Sequence, residues 1–532
     1  MGVLSADGSQ CNGDKRGMSE VITPPIENCP RDRKCCLVPH NKLLSHDHDG
    51  TRAPTSWVST SVAMTIVLIV IAVGCHERVS TRAAEGLSFN ISVDHRKSEI
   101  SPLLTMPSSV GASDPCSGHG IVELDYETGL GDCRCHPCFT GRDCSSTDEG
   151  CIVDVGQGDP TMFEKYWLHN GDSCTTEILG WQQLSYYATS KQFFFVQTEL
   201  DQAIRALHDV VGNAVTEDRH IIIGVGSTQL LHAALYALSS PTRSTPLSVV
   251  SVVPYYSAYP MQTDLLRSGL YRWAGDAVKF KQTSVDDAYI ELVTTPSNPT
   301  GETRHPVVNG TGGAVVHDLA YYWPHYVPIT APADGDLMLF TLSKNTGHAG
   351  TRIGWAIVTD LEVAQKMAKF IELNSIGVSK DAQIRTTQIL RAVAKAYEVG
   401  GDDGIVDVRT MSEAVEVHME KQGLFHFGAS EMAYRWQRLR SALASGVRFS
   451  LLPEFEPALC TFFRQKRSAT PAFAWLRCDL EEDCEEYLRL HGILTRSGVY
   501  FGADASFVRI SMVDRRSSFE ILVDRLEALE RG

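Results

Sequence analysis

The chain has 532 residues, of which 43% are hydrophobic and 21% charged, with a formal net charge of −16. That length exceeds one domain, and the apolar share is ample for a large core. The acidic balance excludes nucleic acid or an anionic membrane surface as the partner.

Residues 1–56 are rich in Gly, Pro, Ser, Asp and Lys and carry no amphipathic period, the composition of a disordered tail, here placed in the cytosol. From Trp57 to Cys75 the chain runs without a charge. Nineteen residues at ~1.5 Å rise span roughly 28 Å, about the thickness of a hydrocarbon core, so a transmembrane helix is expected over 57–75. A helix of a soluble core is the competing reading, but the flanking polar segments leave it nothing to pack against. The run also starts too far from the N terminus for a cleaved signal peptide. Lys42 and Arg52 precede it and Arg78 and Arg82 follow it, so flanking charge does not orient it. Residues 76–115 read as a linker with Ser, Pro and Arg.

Of the 15 cysteines, six crowd into 116–151: Cys116, Cys133, Cys135, Cys138, Cys144 and Cys151. So short a stretch cannot build a core, which predicts three disulfides and an oxidising compartment. Zinc is the alternative, with Cys133, Cys135 and Cys138 as ligands and His119 or His136 beside them. The sequons at Asn90 and Asn309 suit the lumenal side and are glycosylation candidates. Together these features predict a single-pass membrane protein with its catalytic part in the secretory lumen or outside the cell.

From about Asp154 the chain alternates strand and helix patterns to about residue 380. His220 to Ile223 is a β-branched run that breaks into Gly224-Val-Gly226-Ser-Thr-Gln229, followed by a helical pattern to Leu238. Free amides and hydroxyls at such a helix start form an anion site, which makes Ser227 and Thr228 phosphate-binding candidates. Tyr289 to Thr295 is a second strand, ending in Pro296-Ser-Asn298-Pro-Thr-Gly301. Ala314 to His317 is a third and ends at Asp318. Leu337 to Leu342 is a fourth and ends in Ser343-Lys344, with Arg352 eight residues on and a new strand from Gly354. Singly, each is an ordinary turn, cap or surface lysine. In this order they suit pyridoxal 5′-phosphate: Lys344 for the Schiff base, Ser343 and Arg352 for the phosphate, Asp318 for the pyridine nitrogen and Asn298 for the phenolic oxygen. Two further helical patterns, Leu361 to Leu373 and Lys380 to Glu398, lead out of this region. The alternation predicts a large, mostly parallel α/β domain over 154–424 and a smaller α+β domain over 425–532 that includes a hairpin-like stretch near Pro471 to Cys478. Cys478 and Cys484 flank an acidic loop and either bridge or stay free.

The segments Gly226-Ser-Thr-Gln229, Ser297-Asn-Pro-Thr-Gly301, Asp318-Leu-Ala-Tyr-Tyr-Trp-Pro-His-Tyr326, Ser343-Lys-Asn-Thr-Gly-His-Ala-Gly350, Pro471 to Cys478 and Val508-Arg-Ile-Ser511 resemble the alliinase and tryptophan aminotransferase-related family of fold-type-I pyridoxal-phosphate enzymes over roughly 114–530. The stretch 116–151 is similar to the EGF-like module that precedes that catalytic domain. The resemblance implies that Lys344 carries the cofactor. It implies that Tyr321 joins Asn298 at the phenolic oxygen, and that Tyr186 reaches the phosphate of a partner subunit in a homodimer. It further implies that Arg509 clamps the substrate α-carboxylate, a task that suits a planar guanidinium. The stretch Ala503-Asp-Ala-Ser-Phe507-Val508 lacks the aromatic-basic pair of the family pattern, which bears on substrate choice.

Three functions follow from the resemblance. The first is transamination of an aromatic amino acid with a 2-oxo acid such as pyruvate, tryptophan giving indole-3-pyruvate on the route to auxin. The second is C–S β-elimination from S-alkyl-cysteine sulfoxides. The third is an inert enzyme fold serving as a surface receptor. The membrane anchor with its EGF-like module favours the first, and intact Lys344, Asp318 and Arg352 weigh against the last. No metal is expected.

Overall fold

The computed structural model describes residues 115–531 apart from 125–130, 149, 188–192, 284–287, 399–421 and 445. The expected tail, membrane span and linker up to residue 114, with the Asn90 sequon, lie outside the described residues. Asn309 is described and exposed, with φ 52°.

The cysteine-rich stretch closes on three disulfides, Cys116–Cys133, Cys135–Cys144 and Cys138–Cys151, around a hairpin of Gly120–Leu124 and Gly131–Cys135. Cys116, Cys138 and Cys144 are themselves buried, so the sulfurs form the interior that the sequence lacks side chains to build. Sulfurs bonded to one another are not available to zinc. A fourth disulfide joins Cys478 to Cys484.

The large sheet has seven strands: β1 (His220–Gly224), β2 (Leu247–Ser251), β3 (Tyr271–Asp276), β4 (Tyr289–Thr294), β5 (Gly313–Asp318), β6 (Leu337–Thr341) and β7 (Gly354–Val358). Their spatial order is β1-β7-β6-β5-β4-β2-β3. Only β7 runs against its neighbours, so the expected mostly parallel sheet is a mixed one with a single reversed strand. β4, β6 and β7 are buried along their whole length. β6 and β7 accordingly read as nearly unbroken apolar runs, whereas β4 also buries Glu291, whose carboxylate accepts the Val307 and Val308 amides at 2.8 and 3.1 Å. Helices α1 (Thr198–Val211), α2 (Gly226–Leu238), α3 (Leu361–Ser375) and α4 (Lys380–Glu398) contribute their apolar residues to the same core.

Beyond α5 (Leu424–Leu443), a four-stranded antiparallel sheet runs in the order β8 (Phe449–Leu451), β9 (Phe473–Cys478), β11 (Phe507–Ser511), β10 (Arg496–Ser497). The Pro471 to Cys478 stretch is therefore a central strand. The hairpin of this region pairs Ala458–Cys460 with Gln465–Arg467. The C-terminal helix α6 (Arg516–Arg531) packs on α5, where buried Arg435 binds Glu431 at 2.6 Å and the carbonyls of Met512 and Asp514 at 3.0 and 2.6 Å.

Val153–Asp154 pairs in parallel with Ile493–Leu494, and the Ser511 amide donates to the Val155 carbonyl at 2.8 Å. This pairing carries the chain from the last module cysteine straight to the small sheet and presents the loop Gly156–Asp159 to the space between the two sheets.

Among the described residues no helix is long and apolar enough to cross a membrane. The expectation of a single-pass membrane protein is corrected on that finding. The longest described helices, α4 and α5, are amphipathic and carry Lys380, Arg391 and Lys395 or Glu431, Arg435 and Arg440, charges that a bilayer interior would not accept. What the four disulfides fit is a secreted or lumenal protein.

Candidate active site

At the C-terminal ends of the parallel strands lies a cavity of about 520 Å³, the position at which an α/β sheet binds its ligand. Ser227, Thr228, Asn298, Asp318, Tyr321, Ser343, Lys344, Arg352 and Arg509 all line it. Tyr186 does not. It is 71% exposed, in a run with Trp181, Leu184 and Tyr187 that is equally open.

One end of the cavity is built to hold an anion. β1 turns through Gly226 (φ 71°) into α2, leaving Ser227 and Thr228 in its first turn. A Cβ on Gly226 would stand 2.6 Å from Arg352 Nη2, so the guanidinium lies directly on that turn. Gly354 is as constrained, since a Cβ there would meet the Ser227 amide nitrogen at 2.7 Å. Opposite, Thr341 caps the short helix Leu342–Asn345, accepting the Ser343 amide at 3.2 Å and donating to Ser343 Oγ at 3.1 Å. Hydroxyls, helix-start amides and one guanidinium therefore converge.

The middle of the cavity holds Asp318, at the end of β5. Tyr259 donates to its Oδ2 at 2.8 Å and the Ala320 amide to its Oδ1 at 3.2 Å. Burial nevertheless pushes the carboxyl above its ordinary range, and among the described residues no cation pairs with it. A protonated ring nitrogen would supply that charge. Lys344 follows β6, its carbonyl accepting from Tyr326 Oη at 3.1 Å and His325 Nε2 at 3.3 Å. Its Nζ donates to the Gly158 carbonyl and lies 6.0 Å from the Tyr321 ring. Burial, with Arg509 and Arg352 close by, pushes the ammonium down to about 8 against the opposing influence of Asp159 and Asp514.

The third element comes from the small sheet. Arg509 on β11 is buried, donates to Asn298 Oδ1 at 3.1 Å and to the Gly156 carbonyl at 2.7 Å, and lies against the rings of Phe473 and Phe501 at 4.1 and 5.3 Å. Burial lowers even this guanidinium to about 10. A group so expensive to desolvate and so firmly held is suited to gripping a carboxylate.

Several site residues escaped the sequence reading: Tyr259, Tyr256, Gly158, Asp159 and Arg496, all in or against the cavity. The run Tyr255-Tyr256-Ser257-Ala258-Tyr259 after β2 had the same strand-end signature as the others and could have been found by it. Gly158 contributes a backbone carbonyl, which no side-chain pattern announces.

The residues present fit pyridoxal phosphate: an anion cradle, an uncompensated buried carboxylate and a lysine of lowered basicity share one cavity of suitable size. The profile of the Allinase family (Alliinase_C) matches residues 153–530. The chain is 50% identical over 400 residues to tryptophan aminotransferase-related protein 2 of Oryza sativa subsp. japonica, covering 74% of this chain and 76% of that one. It is 36% identical over 424 residues to the alliin lyase of Allium cepa var. aggregatum, covering 78% and 90%. An aminotransferase from Staphylococcus aureus has the same fold, with a TM-score of 0.50 at 19% identity over 71% of this chain and 94% of that one.

Proposed function

The chain belongs to the Allinase family, and from that premise we propose that it is an aminotransferase acting on an aromatic L-amino acid, tryptophan first, with a 2-oxo acid as acceptor. The observation that carries this reading is the 50% identity to a relative named tryptophan aminotransferase-related protein, against 36% to an alliin lyase. Pyridoxal 5′-phosphate, the cofactor of the family, supplies the electron sink for the pair left when the α-proton departs.

In this reading Ser227, Thr228, Ser343 and Arg352 hold the phosphate. Asp318 keeps the pyridine nitrogen protonated, and Asn298 and Tyr321 bind the phenolic oxygen. Lys344 holds the cofactor covalently at rest and then moves the α-proton at its Nζ. A basicity near 8 lets that amine take and return a proton close to neutral pH. Arg509 fixes the α-carboxylate, and with it the direction of the Cα–H bond. The exposed run Trp181 to Tyr187 is covered by a second copy in a homodimer, whose phosphate site receives Tyr186.

C–S lyase activity on cysteine sulfoxides is the second reading, favoured by the alliin lyase relative. The two part at a single experiment. Full-length protein loaded with cofactor is given tryptophan plus pyruvate, and separately alliin, and the products are identified. Alanine from the first mixture supports the aminotransferase. Pyruvate and ammonia from the second, without reaction in the first, hands the chain to the lyases.

A further inference from the structure

Arg496 on β10 and Arg509 on β11 are Cα partners in adjacent antiparallel strands. Directly opposed residues send their side chains to the same face of a sheet, and both of these line the cavity. Like charges in that relation destabilise a sheet. After burial, Arg496 is the neighbour that lowers the basicity of Arg509.

The two guanidiniums are held very differently. Arg509 is fixed by Asn298, Gly156 and two aromatic rings, as described. Arg496 is half-buried, and its guanidinium lies 5.3 Å from the ring of Tyr500. Its Nε is buried without a hydrogen-bond partner, and among the described residues no carboxylate pairs with it. The cavity's own acids are engaged elsewhere: Asp318 with Tyr259 and the Ala320 amide, Asp159 as the acid that supports the charge on Lys344. A cation that costs the sheet stability, faces the cavity and has no carboxylate partner among the described residues is arranged for an anion from outside.

We propose that Arg496 forms a second carboxylate subsite, which selects a short dicarboxylic 2-oxo acid as the amino-group acceptor. The α-carboxylate of that acceptor binds Arg509 and its distal carboxylate binds Arg496, one cross-strand spacing away. The proposal rests on the reading of Arg509 as the α-carboxylate site. An amino acid and a dicarboxylic 2-oxo acid exchange amino group for keto oxygen, so the reaction balances without an outside oxidant. When the ligand has no second charge, the half-exposed Arg496 keeps its head in water along the cavity mouth.

The test is calorimetric and does not require turnover. Glutarate and butyrate, which cannot react, are titrated into the full-length, cofactor-loaded protein. Glutarate is expected to bind at least about ten-fold more tightly, the size of effect a charge-assisted pair at a partly desolvated site delivers. Arg496→Gln should bring glutarate down to the butyrate level with cofactor absorbance unchanged, and Arg496→Lys should restore part of the difference. Equal affinities in the unaltered protein, or a glutarate advantage that survives Arg496→Gln, overturns the subsite whether or not tryptophan is a donor. If tryptophan does turn over, Arg496→Gln should raise KM for 2-oxoglutarate and leave KM for pyruvate and tryptophan in place. A raised KM for tryptophan alone would instead make Arg496 a platform for the donor's ring and overturn the proposal.

Discussion

Arg509 Nη1 donates to Asn298 Oδ1 at 3.1 Å across 211 residues of sequence, tying the small sheet to the turn that follows β4. In the proposed function that bond would let one side chain serve two ligands. Asn298, proposed to reach the cofactor, also holds the guanidinium proposed to grip the substrate, so the distance between cofactor and carboxylate would be set within the protein.

Arg509→Ala should therefore raise KM for every amino-acid substrate by a similar factor, since the carboxylate is the part they share. The loss is about 2–5 kcal/mol, as for other truncated buried charge pairs. Arg509→Lys should recover only a part, because an ammonium cannot reproduce the fork. Asn298→Ala should affect both KM and cofactor retention, whereas a substrate effect alone would show that the two roles are separate. Steady-state kinetics beside cofactor titration distinguishes these outcomes.

Lys344 gives a pH prediction. Its ammonium is held down to about 8, so in protein freed of cofactor the neutral amine is the minor form below that pH and the major form above it. The rate of covalent capture of added pyridoxal phosphate should rise with pH and level off above about 8, well short of the usual lysine range. Arg509→Ala removes a like charge and should move that inflection upward. The sign for stability follows: the unfolded chain binds this proton more readily, so Lys344's contribution to cofactor-free stability increases with pH from about 8 to the ordinary lysine value. Lys344→Ala should abolish the label fixed by borohydride. Capture that climbs steadily beyond pH 10, or a label elsewhere, would refute the assignment.

Most of this site was legible because its residues sit at strand ends. A β-branched or largely apolar run followed by a turn marks where a strand stops, and an α/β sheet binds ligands there. Ser227, Asn298, Asp318 and Lys344 all followed such runs and all line the cavity. The rest was hidden for physical reasons. Tyr259 lies in a run after β2 that carries the same strand-end mark, but its bond to Asp318 exists only through the fold. Arg496 sits on a two-residue strand, too short to show any period. The reversal of β7 has no compositional mark, because a fully buried strand is apolar in either direction. Tyr186 is exposed in a single chain, and its expected place is one that a second copy would have to provide.

Asp318 and Tyr259 should separate charge from hydrogen bonding. Asp318→Asn removes the proposed partner of the ring nitrogen and should weaken cofactor retention by about 1.5–3 kcal/mol, the range for a hydrogen bond to a charged group. Tyr259→Phe leaves the charge but removes a donor that helps keep Asp318 ionised. That loss should be smaller, about 1 kcal/mol. Because the carboxyl would then rise further, cofactor binding in Tyr259→Phe should fail at a higher pH on acidification than in the parent. Dialysis at graded pH followed by cofactor absorbance reads both effects. Identical acid limits would mean that Tyr259 does not act through Asp318.

The cysteines give a final prediction. Among the described residues only Cys174 and Cys460 are free, and Cys460 is buried. Among those residues, a thiol reagent applied to the native protein should therefore label Cys174 and leave the 116–151 cluster untouched until a reductant is added. Within that cluster the disulfides replace a core, so each lost bridge should cost the module about 2–5 kcal/mol. Cys135→Ser should open residues 116–151 to protease, because the only buried side chains among the described residues of that stretch are Cys116, Cys138 and Cys144. The cavity should survive, since the large sheet packs on its own core of buried strands and helices and the small sheet keeps the Cys478–Cys484 bridge. Cofactor absorbance in the Cys135→Ser protein should therefore match the parent at 25 °C while the protease fragment appears. Titratable thiols in the native cluster together with a stoichiometric zinc content would reverse the assignment, returning Cys133, Cys135 and Cys138 to the role of metal ligands.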